Sequence, residues 1–147
     1  PFVDQSAIRD EVDSEVVIDT VQRALPFARA SNIELHLETS LPPNEFQALL
    51  ARLPDPLVKV NYDSGNSSSL GYRAAEELAA YGNRLGSVHI KDRVRGGGTV
   101  PLGEGDVDFP EKQVLLASLA QWEFRPASRD GQPTAVEVLL IIPREAV

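Results

Sequence analysis

Gly86-Ser87-Val88-His89-Ile90-Lys91-Asp92-Arg93 runs directly into Val94-Arg95-Gly96-Gly97-Gly98-Thr99-Val100-Pro101-Leu102-Gly103-Glu104-Gly105-Asp106-Val107-Asp108-Phe109. A short apolar run thus delivers a histidine, a lysine, an aspartate and two arginines into a segment rich in glycine. Loops set on a rigid scaffold commonly carry function. The junction is expected to be a ligand site at the carboxyl end of a strand.

Working upstream, Leu57 to Asp63 reads as another strand, followed by the turn-rich Ser64-Gly65-Asn66-Ser67-Ser68-Ser69. Leu70, Ala74, Leu78 and Tyr81 then make a helical stripe that leads into the Gly86–Ile90 strand. Earlier still, Ile33 to Glu38 alternates apolar and polar residues as a strand does, and Phe46, Leu49, Leu50 and Leu53 mark a short helix entered through prolines. Residues 14 to 30 predict a helix on the spacing of Val17, Val21, Ala24 and Ala28, with Ser14 as N-cap and a kink at Pro26. Pro1-Phe2-Val3-Asp4 reads as the finish of a strand.

Downstream, Asp108 and Glu111 have the spacing of a capping box with Pro110 in the first turn, and Leu115, Leu119 and Trp122 continue as a helix face. The polar stretch from Arg125 to Pro133 breaks the pattern before a last strand over 134–142. Strand and helix alternate about every 25 residues, the mark of βαβ units around a parallel sheet. An open doubly wound sheet and a (β/α) barrel both fit that alternation. Asp4, Glu38, Asp63 and His89 all fall at carboxyl ends of successive strands. That favours a barrel of the TIM type, where those ends converge on one mouth.

The composition bounds the partners. With 147 residues, 42% hydrophobic and 24% charged, the chain fits a single globular domain, and no apolar run approaches the roughly 18 residues of a membrane span. A net charge of −8 argues against a nucleic-acid surface, though basic residues gathered around Lys91, Arg93 and Arg95 suit a small anionic substrate. The chain has no cysteine, which excludes disulfides and fits a cytoplasmic location. It also has no methionine, and with its opening on a strand end it is expected to be a fragment.

Two carboxylates and an imidazole from neighbouring strands suit a divalent ion, Mn, Mg, Co or Zn. The competing reading has Glu38 and Asp63 capping loops or helix ends, with His89 a satisfied, half-buried imidazole. Gly96-Gly97-Gly98 and Gly103-Glu104-Gly105 offer backbone N–H groups to a phosphate or sugar oxygen, with Arg95 or Lys91 in support, or else form a flexible loop with tight turns. His36 is expected in packing or on the outer face of the sheet.

The series Leu35-His36-Leu37-Glu38-Thr39, Val60-Asn61-Tyr62-Asp63-Ser64-Gly65-Asn66, Val88-His89-Ile90-Lys91-Asp92-Arg93 and Pro101-Leu102-Gly103-Glu104-Gly105-Asp106-Val107-Asp108-Phe109 resembles the xylose-isomerase-like TIM-barrel family of sugar-phosphate isomerases and epimerases. The likeness runs from about Pro1 to Trp122. It implies that Glu38 binds the metal and moves protons, that Asp63 and His89 complete the coordination, and that Arg95 contacts substrate. It also implies a last-strand glutamate as ligand and second acid/base, for which Glu137 is the candidate. The family often has histidine where this chain has Asn66, which can hydrogen-bond a hydroxyl but does not titrate near neutral pH. A family barrel takes about 250 residues, so the chain is expected to hold about the last five β/α units, as one partial domain over 1–147. Metal-dependent endonucleases of the same barrel family use many histidines; this acidic chain has two.

The expectation is therefore a metal-dependent isomerase or epimerase of a sugar or sugar phosphate, working by proton transfer through an enediolate. Its site would comprise Glu38, Asp63, His89 and Glu137 as ligands, Glu38 and Glu137 as acid/bases, and Asn66, Lys91 and Arg95 on the substrate. It would act on a small molecule rather than on nucleic acid or membrane, as a homo-oligomer. The alternative is an inactive barrel fragment serving as an oligomerising or binding module, since open strand edges invite pairing.

Overall fold

The computed structural model describes residues 1–107, together with the backbone of two short strands at 128–129 and 132–133. The helix expected beyond Asp108, the strand over 134–142 and Glu137 lie outside the described residues.

The first long element is α1, Glu11–Ser31. It starts three residues before the sequence suggests because Asp10, not Ser14, caps it, its carboxylate accepting the Asp13 N–H at 2.9 Å. It also runs on through Pro26, whose ring removes one mid-helix donor and crowds the preceding turn. Asn32 ends it in the left-handed region, φ 52°, while the Ile33 N–H reaches back to the Ala28 carbonyl.

Three parallel strands follow, β1 (Leu35–Leu37), β2 (Val58–Asp63) and β3 (Leu85–His89), side by side in chain order. Phe2 adds an isolated parallel bridge to Thr39, just past the end of β1. Parallel neighbours added in one direction are what the wall of a barrel requires. The helix α2, Pro43–Ala51, is entered on a proline as expected. It packs Phe46, Leu49 and Leu50 with Val58 and Val60 of β2 and Val17, Ile18 and Val21 of α1 into one core, in which Val58 is fully buried. Arg84 stitches the entry of β3 to the connection between α2 and β2, donating from Nη2 to the carbonyls of Leu53 and Val58 at 2.8 and 2.7 Å.

The run Ser64–Leu70 is a helix, α3, rather than a turn. Gly71, at φ +82°, stops it, so the stripe from Leu70 to Tyr81 is split and α4 covers only Ala74–Tyr81. The glycine-rich segment folds as an antiparallel pair, β4 (Asp92–Arg93) with β5 (Thr99–Val100). A second such pair joins β6 (Ser128–Arg129) to β7 (Gln132–Pro133) within the polar break. Among the described residues no helix is long and apolar enough to cross a membrane.

Between α3 and α4 lies a buried carboxyl. Glu77, 3% exposed, accepts from Ser67 Oγ at 2.8 Å and Tyr81 OH at 2.7 Å through Oε1, while Oε2 has no partner among the described residues. Burial pushes its pKa up, so the neutral form is favoured in the fold. The stability that Glu77 contributes is present below the ordinary carboxylate range and is lost as pH rises through the elevated folded value. Glu77→Gln keeps the accepting oxygen and cannot ionise. Urea melts at a series of pH values should show the variant gaining on the wild type from about pH 4 to pH 8, and a constant difference would refute the ionisation argument.

Candidate metal centre

Alternation along the strands sends Val58 and Val60 to the helices and leaves Lys59, Asn61 and Asp63 on the opposite, inner face, where Glu38 and His89 also converge. Each of Glu38, Asp63 and His89 offers a ligand atom, and these atoms lie within 4.8 Å of one another. His89 Nδ1 is 3.9 Å from Glu38 Oε2 and 3.7 Å from Asp63 Oδ2, so this ring nitrogen is the one facing both acids. The carboxylates are buried, with side chains 12% and 4% exposed, and the imidazole is half exposed.

Neighbouring groups hold each acid in place. Glu38 accepts from two amides, Asn61 Nδ2 at 2.7 Å on Oε2 and Asn66 Nδ2 at 2.6 Å on Oε1. Asp63 is the N-cap of α3, accepting the Asn66 N–H at 2.8 Å through Oδ1, while Oδ2 is 3.0 Å from Lys91 Nζ. The capping role raised as the competing reading of Asp63 is therefore real, and one carboxylate both caps the helix and faces the histidine. Two carboxylates and a neutral imidazole nitrogen are a donor set that suits Mn, Mg, Co or Zn, and their spacing fits a single small cation.

Of the residues expected on the substrate, Asn66 and Lys91 are in this cluster. Arg95 is elsewhere: its guanidinium lies against Gly71, where a Cβ would come within 2.5 Å of Nη2, and its N–H donates to Asp106 Oδ2 at 2.6 Å. Arg93 is the nearer arginine, donating from Nη1 to Asn66 Oδ1 at 2.8 Å and from Nη2 to the Gly97 carbonyl at 2.7 Å. By holding the oxygen of the Asn66 amide it turns the nitrogen toward Glu38. Asn61 and Arg93 escape motif reading because each acts on a ligand through an amide rather than through a recognisable spacing.

The glycine-rich segment does not cradle an anion with its free amides. The Gly103 and Gly105 N–H groups donate to Asp92 Oδ2 at 2.9 and 3.0 Å, Gly96 N–H to the Ser69 carbonyl and Gly97 N–H to the Val94 carbonyl. Those donors are taken up within the protein, by Asp92, by the end of α3 and by the turn between β4 and β5. His36 is a further correction, since it lies on the inner face, with Nδ1 2.7 Å from Ser87 Oγ.

No curated protein and no solved structure matches the chain. A family profile described as xylose isomerase-like TIM barrel matches residues 3–118, a span that takes in every described strand of the parallel wall and the three converging residues at its carboxyl ends. On that match, the chain belongs to the xylose isomerase-like TIM-barrel family.

Proposed function

We propose that the chain belongs to a metal-dependent isomerase or epimerase of a sugar or sugar phosphate, active in a reducing, cytoplasmic setting. The convergence of Glu38, Asp63 and His89 from three adjacent parallel strands carries this reading. The ion, held by those three with Glu137 as the proposed fourth ligand, would polarise the substrate oxygens and stabilise charge that develops on them. Glu38, oriented by two amide donors, takes the proton from the carbon beside the carbonyl, giving an enediolate. Glu137 is the proposed acid on the other side. Asn66 and the Lys91 ammonium bind hydroxyl or carbonyl oxygens at the rim.

Isothermal titration of the protein with MnCl₂ tests the centre. One binding site is expected, weakened beyond detection in Glu38→Gln and in His89→Ala. No heat with the wild type, or unchanged binding in both variants, overturns the metal reading.

A further inference from the structure

Asp63 turns one of its two oxygens to the cluster. Oδ1 is taken by the Asn66 N–H at 2.8 Å, whereas Oδ2, the oxygen 3.7 Å from His89 Nδ1, is 3.0 Å from the ammonium nitrogen of Lys91. Among the described residues Lys91 is the only lysine or arginine paired with Glu38 or Asp63, since Arg93 is engaged by Asn66 Oδ1 and the Gly97 carbonyl. A carboxylate buried as deeply as Asp63 is costly to the fold unless a cation compensates it. Lys91 supplies that cation.

The chain anchors Lys91 at its root and leaves its tip free to move. The Lys91 N–H donates to Ser64 Oγ at 3.0 Å, and the same hydroxyl donates to the Lys91 carbonyl at 2.7 Å. The first turn of α3 presses on the stem, for a Cβ at Gly65 would stand 3.0 Å from Lys91 Cγ and 3.1 Å from its carbonyl oxygen. Beyond that contact the Lys91 side chain is 32% exposed, against 4% for Asp63. Its flexible four-carbon stem can therefore carry the charge out to the rim with no shift of the backbone. Asp63, buried and capping α3, cannot follow. A divalent ion on Oδ2 would face this ammonium across contact distance, and like charges that close in a partly buried site repel strongly.

We propose that Lys91 is a tethered counter-ion of the metal-free centre, its ammonium holding Asp63 Oδ2 until a divalent ion takes that oxygen and then turning to the rim, where it meets the substrate. This inference rests on the metal-centre reading. A counter-ion that is exchanged and a group that supports a ligand differ in sign: removing the first tightens metal binding, and removing the second weakens it.

Mn²⁺ titrations and thermal melts of the wild type, Lys91→Met, Lys91→Gln and Lys91→Arg test the exchange; methionine keeps an unbranched stem beside Gly65 without the charge. Lys91→Met and Lys91→Gln should bind Mn²⁺ at least about 10-fold more tightly than the wild type. Both should melt below it without the ion and lose that deficit in saturating MnCl₂. Lys91→Arg retains the charge and should not tighten binding. A crystal structure of the wild type with Mn²⁺ should show Lys91 Nζ turned away from Asp63 Oδ2. Unchanged or weaker Mn²⁺ binding in Lys91→Met and Lys91→Gln, equal tightening in Lys91→Arg, or an ammonium still paired with Asp63 beside a bound ion overturns the exchange and leaves the metal centre standing. A wild type that binds no Mn²⁺ overturns the metal reading and the exchange with it.

Discussion

Asp63→Asn should abolish metal binding while leaving the protein folded. The two tasks of this side chain fall on different oxygens: Oδ1 accepts the Asn66 N–H as the cap of α3, whereas Oδ2 faces His89 and Lys91. Asparagine caps a helix about as well as aspartate, so Oδ1 goes on accepting. Its NH₂ group, however, carries no lone pair for a cation and meets the Lys91 ammonium donor to donor. Mn²⁺ affinity should fall by more than about 100-fold, since losing a ligand outweighs the ~10–100-fold typical of losing a group that supports one. Asp63→Ala removes both functions and should in addition lose about 1 kcal/mol from the cap, or about 3 °C in melting temperature for a chain of this size. Calorimetric titration and thermal melts on both variants separate the roles. If Asp63→Asn binds Mn²⁺ as the wild type does, Asp63 is only a cap.

The parts of this centre that were legible in the sequence are those fixed by strand periodicity. Alternation in Leu35-His36-Leu37-Glu38 and Val58-Lys59-Val60-Asn61-Tyr62-Asp63 places Glu38 and Asp63 at strand ends, and parallel neighbours then bring those ends together. What periodicity cannot carry is a slip in register. The inward turn of Ser87, whose hydroxyl links His36 to Asn61, depends on the bulge at Gly86, a property of the pairing of two strands rather than of either one. The helix α3 was hidden for a different reason. Its Ser-Gly-Asn-Ser-Ser-Ser sequence has poor intrinsic helix propensity. Tertiary partners supply what the residues lack: the Asp63 cap, Ser67 on the buried Glu77, and Ser64 Oγ, which donates to the Lys91 carbonyl at 2.7 Å. The family resemblance points to Arg95, and a resemblance does not foresee that a hairpin between β4 and β5 carries this arginine toward Gly71.

The segment that follows that hairpin depends on Asp92, and its replacement should cause the largest loss of stability of any single change at the site. Asp92 is completely buried. Its Oδ2 accepts the N–H groups of Gly103 and Gly105, and Oδ1 accepts that of Val107 at 3.1 Å. Three backbone donors from a segment with little side chain of its own thus converge on one carboxylate. Gly105 is required by the same contact, because a Cβ there would come within 2.2 Å of Asp92 Oδ1. Removing the carboxylate strands three amides, and a buried donor without a partner costs about 1–3 kcal/mol. Asp92→Ala should therefore cost at least about 3 kcal/mol, the range seen when a buried hydrogen-bond network is broken. Asp92→Asn offers no rescue: whichever way the amide turns, its NH₂ faces either Val107 or the pair Gly103 and Gly105, donor against donor. Denaturant melts should rank wild type well above both variants, and hydrogen exchange should show the amides of residues 103, 105 and 107 losing protection before those of β2. Arg93 and Lys91 flank Asp92, so a loosened hairpin also frees the guanidinium that orients Asn66. A stable Asp92→Asn protein with protected loop amides would mean that the glycine segment is held by something other than this carboxylate, and that its shape owes nothing to the buried charge.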